Sequence, residues 1–378
     1  MNNNHVNNSD DGLRSVPSSR AVSVTSPGEL FANVPGLLGF YPQESVIFIT
    51  LALRDGSSQM AESGPIIRMD LDELHALPEV HDIVRSATID YVIALIISER
   101  CHEDASYLQK ITDFLLSDSH QGIVPIQWIW HTSAIFNGNS FHLVYDRDQD
   151  DNPEVASWHT GKIPSITAAP ATQDMVARGE LPELNRQDCL DYFSPVAADE
   201  IKDSTPVFHA AAAFICRAET KPEVVTAELA EITEICQKIE SGELVEPTSD
   251  HHHKIAVVLS RTALRDLFLN VFCAHPEAGK QLSLAAARNY QGIIRNNALC
   301  VYAMCNLATD RTVRTFHALV TSQQHDPDHR LTSLLLTAYQ AGVGEKILAA
   351  IKQGALATYG QFGLQPPNHH GGGQSQVA

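Results

Sequence analysis

The chain has 378 residues, 44% of them apolar, with 26 Lys and Arg against 45 Asp and Glu, a net charge of −19. That length suits two domains, and a field of that sign repels phosphate backbones and anionic lipid, so neither nucleic acid nor a membrane surface is an expected partner. The longest strongly apolar runs, Ser45–Leu53 and Tyr91–Ile97, fall far short of the roughly 20 residues a membrane helix needs.

Residues 1–20 are rich in Asn, Ser and Asp, lack the apolar core of a signal peptide, and read as a disordered tail. A cytoplasmic location is therefore expected. Ser26, Pro27 and Glu29 form a capping box with proline at the first helical position, and Leu30, Phe31 and Val34 share one face of the helix that follows. Pro35-Gly36 is expected to weaken or end that helix. Ser45–Leu53, rich in Val, Ile and Phe, reads as a strand covered on both faces. A turn at 54–58 leads to a second strand at 65–71, antiparallel to the first, and a helix is expected over 72–85 despite Pro78.

A buried strand at 90–98 precedes a helix at 104–117. Short strands at 124–132 and 140–145 flank Asn137-Gly138, a strong hairpin signal. Residues 146–153 are an acidic loop, a short helix ends at Gly179, and Asn185 caps another with Asp188 three residues on. From residue 205 the pattern is helical, over 206–218, 222–240, 250–274, 276–290, 292–308, 311–324, 328–341 and 345–357. The run 285–342 has the look of tetratricopeptide-type hairpins, one or two units and no extended array. The predicted fold is an α/β (or α+β) domain at 21–200, a mixed sheet flanked by helices, then an all-α domain at 201–360 and a second disordered tail at 361–378.

No phosphate loop, dinucleotide fingerprint, hydrolase elbow or zincin motif occurs in the chain, and no cofactor or metal is expected. Seven scattered cysteines without a C-x-x-C read as reduced core residues. His251, His252 and His253 point about 100° apart on a helix and mark a solvated helix start. His325 and His329 have metal-ligand spacing, but Pro327 breaks the helix between them, which leaves a cap or turn role. Arg68 and Asp70 face one side of a strand, as a fixed ion pair or as an anion-binding arginine held by a carboxylate. Trp128 and Trp130 share a strand face, as core or as a ligand platform. The acids of 146–154 form a solvated loop with no calcium-loop pattern. Arg261 and Arg265, four residues apart, share a basic helical strip that is paired internally with acids.

Four segments together resemble one family: residues 27–53 with VPGLLGFYP, 66–71 with IIRMDL, 170–194 with MVARGELPELNRQDCL, and the helical half with TALRDLFL and DPDHRLTSLLLTAYQAG. They are similar to the uncharacterised actinobacterial proteins grouped as domain of unknown function 4192. The resemblance spans most of 25–345 and implies an actinobacterial cytoplasmic protein without implying a reaction. Many members carry a tryptophan-rich insert with adjacent cysteines after the strand hairpin. Residues 136–164 here hold no cysteine, so a function resting on those cysteines is not implied.

Two functions compete. The first is a non-catalytic interaction or regulatory protein whose helical half binds a protein partner, which an apolar groove in that half would favour. The second is an enzyme with a small-molecule site at the carboxyl ends of the strands, where Arg54, Asp55, Ser98, Glu99, Arg100 and His131 are the candidates, together with Arg68 and Asp70 as ligand-binding residues.

Overall fold

The computed structural model describes residues 26–53, 61–77, 89–117, 126–148, 158–309, 313–340 and 343–365. Helix α1 (Pro27–Leu38) starts as expected, with the Ser26 hydroxyl accepting from the Glu29 amide. It does not end at Pro35-Gly36. Pro35 sits inside the helix, and the Gly39 amide closes the last turn on the Pro35 carbonyl at 2.8 Å. The bond lost at proline is offset by close packing, since a Cβ on Gly36 would fall 2.4 Å from the Thr172 amide of α4 (Pro170–Ala177). Asn33 adds to that contact by accepting from the Ala171 amide, an orphan donor of the α4 amino terminus.

The sheet runs β1 (Ser45–Leu53), β2 (Ala61–Asp70), β3 (Tyr91–Ile97), β4 (Ile126–Thr132), β5 (Ser140–Asp146) and β6 (Thr160–Lys162), in the spatial order β2-β1-β3-β4-β5-β6. Only the β3–β4 pair is parallel, joined through α2 (Glu99–Glu103) and α3 (Ala105–Leu115). Alternation puts Ile47, Ile49, Ile93, Leu95 and Ile97 on the face covered by α1, and Val46, Phe48, Val92, Ala94 and Ile96 on the face covered by α3. Both faces are buried, which is why β1 and β3 read as continuous apolar runs. Trp130 lies in the first of these cores, stacked on Trp128 and donating to the Trp158 carbonyl at 3.0 Å. The tryptophan pair is thus core rather than platform. Of the helix expected over 72–85, the described part is a 3-10 segment, Leu71–Ala76; the turn at 54–58 and most of the acidic loop lie outside the described residues.

After α5 (Arg186–Asp191) the chain is helical: α6 (Thr205–Thr220), α7 (Pro222–Glu240), α8 (Ser249–Leu259), α9 (Thr262–Ala274), α10 (Pro276–Asn289), α11 (Gly292–Leu307), α12 (Val313–His325), α13 (Arg330–Gln340) and α14 (Gly344–Gln361). The single helix expected at 250–274 is two. Ser260 turns its hydroxyl back to the Val257 carbonyl, and Arg261 leaves the helical region at φ −135°. Helix α11 is buried along its length from Ile294 to Leu307, and α8, α9, α10, α12, α13 and α14 pack against it. Among the described residues no helix is long and apolar enough to cross a membrane.

The two halves meet at Gly39-Phe40-Tyr41. Residue 183 bridges Phe40, with Glu183 donating to the Gly39 carbonyl at 2.8 Å and accepting from the Tyr41 amide at 3.0 Å. The Phe40 ring lies under the Arg68 guanidinium and against the edge of His317 of α12. Arg314, also on α12, pairs with Glu183 at 3.3 Å and covers the Tyr192 ring at 3.8 Å. Gly39 has φ +81°, and a Cβ there would lie 2.0 Å from Cγ1 of Val313. Gly39→Ala is expected to destabilise the protein by about 2–4 kcal/mol, from left-handed strain plus overpacking. Urea denaturation measures the loss, and adding Val313→Ala should recover the steric share alone.

Candidate functional site

The carboxyl ends of β3 and β4 gather most of the sequence-predicted residues around one that was not predicted, Glu44. Ser98 follows β3 and caps α2, its hydroxyl accepting from the Cys101 amide at 2.9 Å. Because β1 runs antiparallel to β3, with Ser45 opposite Ile97, the residue before β1 lands on the same spot. The Glu44 carboxylate accepts from the Ser98 hydroxyl at 2.7 Å, the Glu99 amide at 2.9 Å and Arg100 Nε at 2.8 Å. Burial pushes the Glu44 carboxyl up, and the hydrogen bonds from Arg100 and Ser98 overcome it, so the group stays below the usual carboxylate range. Among the described residues Glu44 is the one non-glycine with positive φ, +44°, a conformation that the hydrogen bonds hold against its cost.

Arg100 continues to Asp72 at 3.1 Å and lies over the Tyr107 ring. On the other side of β1, Arg68 and Asp70 form a two-pronged pair, with Arg68 Nε donating to the Ser45 hydroxyl at 3.0 Å and Arg186 3.6 Å from Asp70. All three guanidinium nitrogens of Arg68 bond the chain itself, Nη1 and Nη2 to Asp70 and Nε to Ser45. Arg54 and Asp55 lie outside the described residues.

His131 of β4 is wholly buried. Its Nε2 donates to the Ser98 carbonyl at 3.0 Å, which leaves Nδ1 as a bare acceptor with no protein partner. The imidazoles of His142, across the strand pair, and His102 of α2 lie 5.0 and 6.4 Å from it, centre to centre. Burial pushes the His131 pKa down to about 4 and also lowers that of His142. A neutral imidazole with a free lone pair has the chemistry of a base or a ligand, but full burial keeps it from solvent. Among the described residues no group of three or more His, Cys, Asp or Glu is placed to hold a metal ion.

The helical half holds a second polar cluster, unforeseen in the sequence. Arg265 does not share a surface strip with Arg261. It turns inward, bonding Asp266 at 2.6 Å and Asn297 at 2.7 Å, while Arg261 covers the Phe208 ring. Asn297 Oδ1 also accepts from His329 Nε2 at 3.2 Å, and His329 Nδ1 faces the Cys300 thiol at 3.9 Å. Cys, His and Asn in this order are the parts of a thiol hydrolase. They are disarmed here. His329 Nδ1 is taken by the Thr332 hydroxyl at 2.7 Å, and burial pushes the Cys300 thiol up to about 11. His329 also accepts from the Thr332 amide, so the expected cap role stands. His251 likewise closes a capping box with Thr248.

An open cleft of about 390 Å³ lies between α6 and α8. Ala210, Phe214 and Arg217 of α6 form one wall, Asp250, His253, Lys254, Val257 and Val258 of α8 the other, and Leu264 and Phe268 of α9 the floor. Lys254 is paired with Glu228 and Glu231.

A family model described as a domain of unknown function (DUF4192) matches residues 27–346. The chain belongs to the DUF4192 family. No curated protein and no solved structure matches it. The DUF4192 match opens at the first residue of α1 and closes within α14, so it takes in the Gly39 joint, the Glu44 cluster and the α6–α8 cleft.

Two pH responses follow. His131 and His317 hold pKa values of about 4 through burial, against 6.5 for a free imidazole. Between those values the unfolded chain binds more protons, so stability is complete above about pH 6.5 and falls progressively down to about pH 4, by up to ~3 kcal/mol for each group. His131→Gln keeps a donor for the Ser98 carbonyl and cannot titrate. Its urea stability should fall less than that of the wild type, by about 1–2 kcal/mol, between pH 7 and pH 5. An equal fall in both proteins would refute the assignment. Glu44→Gln, which exchanges an acceptor-only group for a half-donor, should cost about 1–3 kcal/mol at pH 7 in the same assay.

Proposed function

We propose that this DUF4192 protein is a non-catalytic binding protein, cytoplasmic and of actinobacterial origin, whose helical half holds a helical segment of a protein partner in the α6–α8 cleft. The observation that carries this reading is the cleft itself. Its two walls present residues at helical spacing, 210, 214 and 217 on one side and 250, 253, 254, 257 and 258 on the other. A trough between two helices with an apolar floor takes a rod with an apolar stripe, anchored at positions three and four residues apart. Its volume suits about three large apolar side chains. Arg217 and Asp250 stand exposed at the rim with opposite charges, which matches an amphipathic segment with both signs on its flanks. Beyond the cleft, the hairpin-like packing of α10 against α11 and of α11 against α12 fits tetratricopeptide-type hairpins. The strand-end cluster offers less, since its carboxylate, hydroxyl and arginine are engaged with one another.

The test uses Ala210, a half-buried wall residue. A photo-crosslinker at position 210 in the native host should join the protein to one discrete segment. A synthetic peptide of that segment should then bind the purified protein. Ala210→Trp, which fills the trough, should weaken the peptide at least about tenfold, an interface loss of ~1.4 kcal/mol, with urea stability unchanged. Equal binding by Ala210→Trp would place the partner elsewhere and end this reading.

A second reading, an enzyme of unrecognised type, draws on the convergence of Ser98, Arg100 and His131 and on the unpartnered His131 Nδ1. It requires a small molecule retained in native mass spectra of the protein and lost from folded His131→Gln.

A further inference from the structure

Three imidazoles meet where the short helix α2 lies over the ends of β3 and β4. His131 is wholly buried and hangs from the Ser98 carbonyl by Nε2 at 3.0 Å. His142 stands opposite it on β5, half-buried, its ring edge-on with centres 5.0 Å apart. His102 of α2 is exposed and lies nearly parallel to the His131 ring, 6.4 Å between centres. The two neighbouring rings thus stand between His131 and the solvent.

The tautomer of His131 follows from its partner. The Ser98 carbonyl only accepts, so Nε2 carries the hydrogen and Nδ1 is bare. A proton on Nδ1 would make a buried cation whose new N–H has no acceptor among the described residues. The surrounding charges do not relieve it. His142 and His102 can add only positive charge, and the carboxylate in range, Glu44, is already engaged by Arg100 at 2.8 Å. Further out, Asp72 of the 3-10 segment takes the other end of Arg100, Tyr107 of α3 lies beneath that arginine, Cys101 of α2 points into the core, and Asp104 caps α3.

A charged His131 therefore needs water, and water needs an opening. Strand β4 cannot supply one, because His131 is flanked by Ile96 of β3 and His142 of β5 inside the sheet. Helix α2 can. It has five residues, too few to persist as a helix by itself, and it is tied down by the three bonds to Glu44 and the buried Cys101 side chain. We propose that α2 is an acid-opened flap: protonation of the His131, His142 and His102 cluster lifts Glu99–Glu103 off the strand ends and bares His131 and the Glu44 carboxylate to solvent. Trigger and latch are separate groups. The Glu44 carboxyl is held below the usual carboxylate range, so the latch is still charged while the imidazoles take up protons. An exposed imidazole titrates near 6.5 and the sealed His131 near 4. The open form therefore gains protons as the pH falls through that window. From His131 alone its population rises about 20-fold between pH 7 and pH 5.

The test is hydrogen–deuterium exchange of the full chain at pH 7, 6 and 5, read by peptide mass spectrometry and corrected for the intrinsic pH dependence of exchange. Protection over Glu99–Glu103 should fall about 20-fold or more between pH 7 and pH 5, while Tyr91–Ile97 of β3 keeps its own. The Cys101 thiol, buried on α2, should become accessible to dithiodipyridine over the same range. In His131→Gln, which keeps the donor to Ser98 and cannot titrate, the fall over α2 should largely disappear. Should that variant not fold, His102→Gln at its exposed position should give a shallower fall than the wild type. Constant protection of α2 overturns the proposal. So does a parallel loss over β3, which would mean global unfolding, or a fall in His131→Gln or His102→Gln equal to that of the wild type.

Discussion

Gly39 is where the sheet half and the helical half touch with nothing between them but a hydrogen atom and a Val313 methyl. Its left-handed backbone turns the chain out of α1 and aims Phe40 into the gap between Arg68 and His317. The same turn presents the 39–41 backbone to Glu183 for two hydrogen bonds. A side chain at 39 would push α12 away and break that bridge together. Six residues after Gly39 the chain enters β1, so the position of Glu44 at the end of β3 is set from the same fixed point. The Glu44 cluster and the docking of the helices are in this sense one geometrical decision.

Much of the fold was legible because burial writes it plainly. Strands β1 and β3 are covered on both faces, and their apolar runs leave no other reading. The helix starts at Ser26 and Asn185 follow from side chains that bond amides within three residues. What was misread depended on distant partners. Pro35 should break a helix, but the approach of α4 to Gly36 stabilises the continuous form. The division at Ser260-Arg261 has no proline or glycine to announce it. Ser260 bonds back to the Val257 carbonyl there, and Arg265 four residues beyond the break turns inward to Asn297 on another helix.

The candidate site divides along the same line. Ser98, Glu99, Arg100 and His131 follow from the rule that residues just past a parallel strand gather at one end. Glu44 could not be found that way, because its place depends on β1 running antiparallel beside β3. Cys300, His329 and Asn297 are separated by whole helices, and nothing local in TSQQHDPDHRLTS foretells that His329 bonds Asn297. The buried thiol beside His329 also shows how little residue identity decides. Cys300 beside a histidine is inert because a threonine intervenes.

The seat taken by Glu44 has one more consequence. A helix start just beyond a strand is the place where many α/β proteins receive an anion from solution. Here the anion is part of the chain. A tethered carboxylate competes at an effective concentration in the millimolar range or above, so a free phosphate or carboxylate must displace an occupant that never diffuses away. The donors at the start of α2 are thus already engaged by the chain's own carboxylate, and any free anion reaching them has to compete with it.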